Sequence, residues 1–344
     1  MKANLLDARA PLWSRRVDGY PRASAWSADG RSFAVGSSAG RVHLFAAADG
    51  AAERDVEAHE GGLIDLAFHP SKPLFASSGE DGAVRLWAMS GELAATLVEP
   101  GRAWAGGLAF KADGGLAAAV GRAVWVFDAE HREVTRIRYP DSTVAALAFS
   151  PDGRRLAVAG YGGVRLYWAK DGSLAQTLAW QGSMLSLAWD PRGKVVACGC
   201  QDNSLHFWRL PQGKDSQMSG YPLKPVAISW SHDGKLLASS GAPVATVWPF
   251  DGKGPEGRAP VELAAHEDVL TALTFSPGPA SLLATGCKGG RVVLWAPPEA
   301  ERPVRTFAMS DRVERLDWAL SPALQQLLLA GVDAAGNVTV WPTL

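Results

Sequence analysis

The sequence lacks any run of about 18 consecutive apolar residues, so no membrane-spanning helix is expected and no membrane partner is implied. Its first residues, MKANLLDARAPLWSRR, contain no continuous apolar core of the kind a secretory signal needs. Cysteine is scarce. Cys198, Cys200 and Cys287 are odd in number, support no disulfide framework and fit a reducing, cytoplasmic compartment. An excess of either charge is also missing. With 34 Lys and Arg against 35 Asp and Glu, the formal net charge of −1 argues against a nucleic-acid binder working by bulk attraction. No GxSxG, GxGxxG or Walker loop occurs, so no catalytic residue is nominated.

What is present is a repeated pattern. The stretch His59 to Trp87, HEGGLIDLAFHPSKPLFASSGEDGAVRLW, holds three short runs of alternating apolar and polar residues. These read as β-strands, with Pro- and Gly-rich turns between them. One such meander cannot bury its apolar face alone and needs copies beside it. Two aromatic series supply them. Trp26, Phe68, Phe110, Phe149, Trp189, Trp230, Phe275 and Trp318 end a first strand in each unit. Phe45, Trp87, Phe127, Trp168, Trp208, Trp248, Trp295 and Trp341 end a third. Both step by roughly 40–47 residues, the period of four-stranded propeller blades.

On these residues the chain resembles the WD-repeat β-propeller family over nearly its whole length. His59, Ser77, Asp81 and Trp87 match that family's structural tetrad, and the resemblance implies a hydrogen-bonded chain that stiffens the blade. The unit around His266, Thr285 and Trp295 has Gly289 where Asp is expected. The unit with Asp202 and Trp208 has Cys198 at the Ser position. The fold class expected is all-β: a closed propeller of four-stranded antiparallel blades. Counting gives eight, with seven plus one irregular meander as the alternative.

One strand is surplus at the start, around Leu12–Val17, and one is missing after Trp341. The economical solution makes residues 8–17 the outer strand of the last blade, closing a ring whose repeat units span 20–341 in a single domain over 1–344. A closed ring removes the edges that a linear array would expose.

A propeller's strands are occupied with one another, so function falls on the loops of its rims and on the channel mouth. The residue six before each first-strand aromatic reads Tyr20, Gly62, Trp104, Thr143, Ser183, Lys224, Val269, Arg312. Tyr20, Trp104, Lys224 and Arg312 therefore mark a candidate partner-binding rim. Tyr139, Trp180 and Tyr221 lie in the same connections, and Glu80 precedes the tetrad Asp. The expected function is a non-enzymatic scaffold, monomeric in isolation, that binds a protein or peptide and uses no cofactor. The alternatives are a propeller enzyme of the hydrolase or lactonase class with a channel site, and a purely structural subunit of a larger complex. Cys198, Cys200 and His206 give a C-x-C-x5-H spacing, but Cys200 aligns with Cys287 in a strand position that favours small buried side chains. Packing therefore accounts for them and no metal site is assigned.

Overall fold

The structure, a computed structural model, describes residues 10–139, 142–298 and 300–343. Residues 8 and 9 of the expected closing segment lie outside them. The chain forms eight antiparallel sheets, each a meander whose strands we letter a to d from the channel outward. The a strands of blades 1 to 8 are Pro21–Trp26, Leu63–Phe68, Ala105–Phe110, Ala146–Phe149, Ala188–Trp189, Ile228–Trp230, Leu270–Phe275 and Val313–Ser321. Each touches the next around the ring, and that of blade 8 touches that of blade 1, so the circle is closed. The d strands are Ala52–Glu57, Leu93–Val98, Glu133–Arg138, Leu174–Ser183, Lys214–Met218, Val261–Ala264, Ala300–Ala308 and, for blade 8, Trp13–Arg16.

That last strand comes from the other end of the chain. Trp13–Arg16 pairs antiparallel with Asn337–Val340, as the surplus and missing strands require. The seam is sewn twice. The backbone of Leu12 donates to Val340 and that of Val17 to Gly336, while the buried Trp13 indole donates to the carbonyl of Ala47 in blade 1 at 2.8 Å. Blade 8 is thus held to blade 1 by a side chain on the same four residues that complete its sheet.

The core lies between blades. One cluster joins Val164, Leu166 and Leu178 of blade 4 to Val196, Cys198 and Trp208 of blade 5, and equivalent clusters repeat around the ring. Alternation explains this, because successive side chains of a strand point to opposite faces, each facing a neighbouring blade. First-strand tryptophans add a directional tie. The indoles of Trp26, Trp189 and Trp318 donate to the carbonyls of Asp317, Ala148 and Thr274, each the residue before the first-strand aromatic of the preceding blade.

Blade 4 departs from the pattern. Its second and third strands run together as Arg155–Trp168, bent at Tyr161-Gly162-Gly163, where both glycines have positive φ. The expected core aromatic at the end of strand c, Trp168, is instead 41% exposed, and Tyr167 takes the buried place among Ile137, Tyr139 and Leu156. A step of one residue along a strand moves a side chain to the other face, and the repeat period tolerates either choice.

Candidate functional site

The expected tetrad of blade 2 is assembled. The Trp87 indole donates to Ser77 Oγ at 2.9 Å, Ser77 Oγ lies 2.7 Å from His59 Nε2, and His59 Nδ1 lies 2.8 Å from Asp81. Ionised Asp81 can only accept, so His59 carries its proton on Nδ1 and the Ser77 hydroxyl donates to Nε2. Arg85 closes the group by donating to Asp81 at 2.7 Å and to the carbonyl of Ala58 at 3.0 Å. Burial alone would raise the Asp81 carboxyl, but the hydrogen bonds from Arg85 and His59 outweigh it and hold the group below its ordinary range. Burial lowers His59, with Asp81 opposing.

Blade 7 keeps half of this arrangement. Trp295 donates to Thr285 Oγ1 at 2.8 Å, and His266 Nε2 lies 2.8 Å from the same oxygen. With Gly289 at the carboxylate position, His266 Nδ1 is buried without a partner among the described residues. Burial, helped by Arg291, pushes this imidazole down to about 4.

Blades 4, 5 and 6 fill the same place with other rings, which corrects part of the expected rim. Tyr221 is 8% exposed; its hydroxyl lies 2.6 Å from Ser239 Oγ and accepts the Trp248 indole N–H at 2.7 Å. Tyr139 is 1% exposed; its hydroxyl donates to the carbonyl of Tyr161 at 3.2 Å, and the Arg165 guanidinium lies 4.9 Å from its ring. Trp180 is half-buried and stacks on His206, ring centres 3.9 Å apart. These three therefore stand where His59 stands in blade 2 and cannot present whole side chains to a partner. A signal was available in the sequence. His59, Trp180, Tyr221 and His266 each lie nine residues before a first-strand aromatic, and Tyr139 lies ten before. Room for the rings comes from glycines at the end of strand b. A Cβ at Gly79, Gly160 or Gly241 would come within 2.4–2.9 Å of the His59, Tyr139 or Tyr221 ring.

The rest of the expected rim faces solvent. Trp104 is 63% exposed, Lys224 is exposed, and Tyr20 and Arg312 are partly so. Tyr20 and Arg312 are not separate points on the circle: across the closing seam, Arg312 donates to the Tyr20 hydroxyl at 2.7 Å and also to Glu314. Glu80 lies 3.5 Å from Arg22 of blade 1 and accepts the Gly62 N–H at 3.2 Å. The structure adds residues that the register of strand starts did not reach. Tyr161, in the second-to-third strand bend of blade 4, is 55% exposed, and Leu223 and Val226 flank Lys224 in the open.

Of the innermost strands, only those of blades 8, 1 and 2 contain Asp, Glu, Lys or Arg. Two carboxylates there have raised pKa values. Burial pushes Asp317 up to about 6 and raises Asp65. Such acids would suit a channel enzyme, but both are engaged across blade boundaries. Asp317 accepts from Ser24 of blade 1, and Asp65 accepts the N–H of Leu108 in blade 3 at 2.8 Å. They act as staples between innermost strands, Asp317 at the boundary of blades 8 and 1 and Asp65 at the boundary of blades 2 and 3. Cys198 and Cys200 are buried in the blade 4–5 core, and among the described residues no three His, Cys, Asp or Glu side chains converge as metal ligands.

A ring of eight four-stranded blades, one of them with a complete His-Ser-Asp-Trp tetrad, defines the class: an eight-bladed β-propeller that carries WD repeats. The family model "WD domain, G-beta repeat" matches at residues 51–88, 132–167, 172–209 and 258–296. Among curated proteins, the chain is 26% identical over 180 residues to Protein FIZZY-RELATED 3 of Arabidopsis thaliana, an alignment covering 50% of this chain and 36% of that protein. It is 26% identical over 218 residues to the target of rapamycin complex subunit wat1 of Schizosaccharomyces pombe, covering 60% of this chain and 67% of wat1. To telomerase protein component 1 of Rattus norvegicus it is 25% identical over 333 residues, covering 93% of this chain but 11% of that protein. The chain thus spans only a minor part of the first and third of these relatives. Among solved structures, the computationally designed Ika8 protein superposes with a TM-score of 0.80 at 19% identity, covering 97% of this chain and 99% of Ika8, a likeness of fold alone.

Proposed function

We propose that the protein is a non-enzymatic scaffold, monomeric and cytoplasmic, that docks a protein or peptide on the rim carrying Tyr20, Glu80, Trp104, Lys224 and Arg312. The observation that carries this reading is the exposure of large apolar side chains there. Of eleven such side chains among the described residues, Tyr20, Trp104, Tyr161, Leu223 and Val226 all lie in connections opening on this one rim. The fold does not require a large side chain at Tyr20 or Trp104, since Gly62 and Ser183 occupy the same strand-start register with little or nothing. Aromatic and Arg anchors dominate interface energetics. Relatives named as an anaphase-promoting complex subunit and a target of rapamycin complex subunit are in keeping with a role inside assemblies. The engagement of Asp65 and Asp317 in bonds between blades weighs against the enzyme alternative.

The test is affinity capture from native lysate with rim variants. An anchor at an interface centre costs about 2 kcal/mol when cut to alanine, about thirtyfold in affinity. Trp104→Ala and Arg312→Ala are each expected to weaken the main capture by about that factor while leaving the melting temperature nearly unchanged. Wild-type partner profiles in both variants, with losses from substitutions on the opposite rim, would place the function on the other face.

A further inference from the structure

We propose that the outer strand of blade 4, Leu174–Ser183, is an open β-edge that accepts an extended, uncharged segment of another protein as a fifth strand. This is independent of the rim reading and uses a different surface. The outermost strand of every blade leaves one row of backbone N–H and C=O groups unpaired, and such edges invite strand addition unless guarded. Charge is a common guard, and six of the eight outer strands carry it. Ala52–Glu57 has four charged residues, Glu133–Arg138 has Glu133, Arg136 and Arg138, Lys214–Met218 has two, Val261–Ala264 has Glu262, Ala300–Ala308 has Glu301, Arg302 and Arg305, and Trp13–Arg16 has two. Leu93–Val98 and Leu174–Ser183 have no Asp, Glu, Lys or Arg.

Of these two, the blade 4 strand is the better acceptor. It is ten residues long against six; like Leu93–Val98 it pairs with the third strand of its own blade, and only at its far end does its backbone reach blade 5, where the Ser183 carbonyl accepts the Gln201 N–H at 3.0 Å. Its first residue, Leu174, is 55% exposed and pairs with Tyr167, and the neighbouring Trp168, the aromatic expelled from the core, is 41% exposed at the hairpin between strands c and d. Thr177 and Ala179 are exposed further along. One face of the strand is already engaged with blade 5, through buried Leu178, the Gln176 amide donating to the carbonyl of Pro211 at 3.1 Å, and Trp180 on His206. The backbone edge beyond is left for a partner. The chain shows the mode itself at blade 8, where Trp13–Arg16 reaches an outer edge without a hairpin and seats one apolar side chain against the next blade. By the same geometry the incoming segment would be extended, with apolar or β-branched residues over Leu174 and Trp168. It would be uncharged, because the edge offers no ionic partner and strand addition draws its affinity from main-chain bonds.

The experiment is hydrogen–deuterium exchange on the full chain with a capped ten-residue Thr-Val repeat peptide bearing a glycol solubility tail. Expected are at least tenfold slower exchange within residues 174–183 at millimolar peptide, no such change at Ala52–Glu57, and loss of the effect in a Thr177→Lys, Ala179→Lys double variant with an unaltered melting temperature. An alternating Glu-Lys peptide of equal length should give no protection. The proposal is overturned by unchanged exchange at saturating peptide, by protection that survives the double variant, or by equal protection at the charged edge of blade 1. Protection that grows with protein concentration in the absence of peptide, accompanied by dimers in sedimentation, would also overturn it, because the occupant would then be a second copy.

Discussion

The hydroxyl of Tyr221 accepts the indole N–H of Trp248 at 2.7 Å and lies 2.6 Å from Ser239. In blade 2 the corresponding Trp87 donates to Ser77, and the imidazole of His59 takes the far side of the serine. A phenol has replaced an imidazole, and the donor of strand c has moved from the serine to the ring that replaced the histidine. Both solutions leave the buried indole satisfied, which is the physical requirement. Removing the oxygen in Tyr221→Phe leaves the Trp248 N–H and Ser239 to find other partners, at a cost of about 1–3 kcal/mol. Chemical denaturation should show this loss, with rim binding unaltered. A midpoint equal to wild type would mean that Ser239 takes the indole over, as Ser77 does.

The intact tetrad should be costly to break. Asp81→Ala leaves His59 Nδ1 and Arg85 without their carboxylate in a buried setting and should destabilise by about 1–3 kcal/mol. Asp29, in an exposed first hairpin where it accepts from Ser27 Oγ at 2.7 Å, is the control, and Asp29→Ala should cost about 0.5 kcal/mol or less. Equal denaturation midpoints for the two would count against a stiffening role.

Blade 7 offers the converse change. Gly289 does not have positive φ, so a carboxylate can be introduced there, but a new Cβ would come within 2.5 Å of an Asp268 oxygen. Gly289→Asp combined with Asp268→Ser is therefore the variant to make. It should give His266 Nδ1 an acceptor, raise the imidazole pKa and increase the melting temperature at pH 7. Gly289→Asp alone should gain less, because Asp268 must move away and two like charges meet.

Two groups set opposite pH dependences. His266 is near 4 when folded and near 6.5 unfolded, so the unfolded chain takes up a proton between those values while the folded chain does not. That contribution is lost as pH falls from about 6.5 to 4. Asp317 is raised to about 6 from an ordinary 3.8, so the folded chain binds the proton first and its contribution grows as pH falls through the window between those values. Calorimetry from pH 4 to 8 should show Asp317→Asn to be more stable than wild type at pH 7.5 and more acid-sensitive below pH 6. An unchanged pH profile in that variant would show that Asp317 is ionised throughout.

Closure depends on a few residues. Deleting residues 1–18 removes Trp13–Arg16, exposes the edge of Asn337–Pro342 and withdraws the Trp13 bond to blade 1. Aggregation or a large fall in melting temperature is expected. Trp13→Ala keeps the strand but should still cost about 3–5 kcal/mol, the range for emptying a buried tryptophan site. A truncated chain that melts like the full one would show that the seam contributes nothing.

The strands, the count of eight blades and the origin of the closing strand were legible in the sequence. Alternation within a strand and the spacing of Trp26 through Trp318 are local properties, repeated often enough to favour eight units over the alternative of seven, and the eight sheets of the structure decide between them. The tetrad of blade 2 was legible for the same reason, since its four residues lie within a single unit. Which aromatics face solvent was decided only in three dimensions. Tyr139, Trp180 and Tyr221 lie in or beside the same kind of connection, from an outer strand to the next innermost strand, as Trp104 and Lys224, yet they turn inward because space opens over Gly160 and Gly241 or a stacking partner waits in His206. Trp168 and Tyr167 fit the repeat period equally well, and the bend through Gly162 and Gly163 assigns one to the core and the other to water. The contact of Arg312 with Tyr20 lies furthest from any local pattern. The two are 292 positions apart, and they meet because closing the ring brings blade 8 against blade 1.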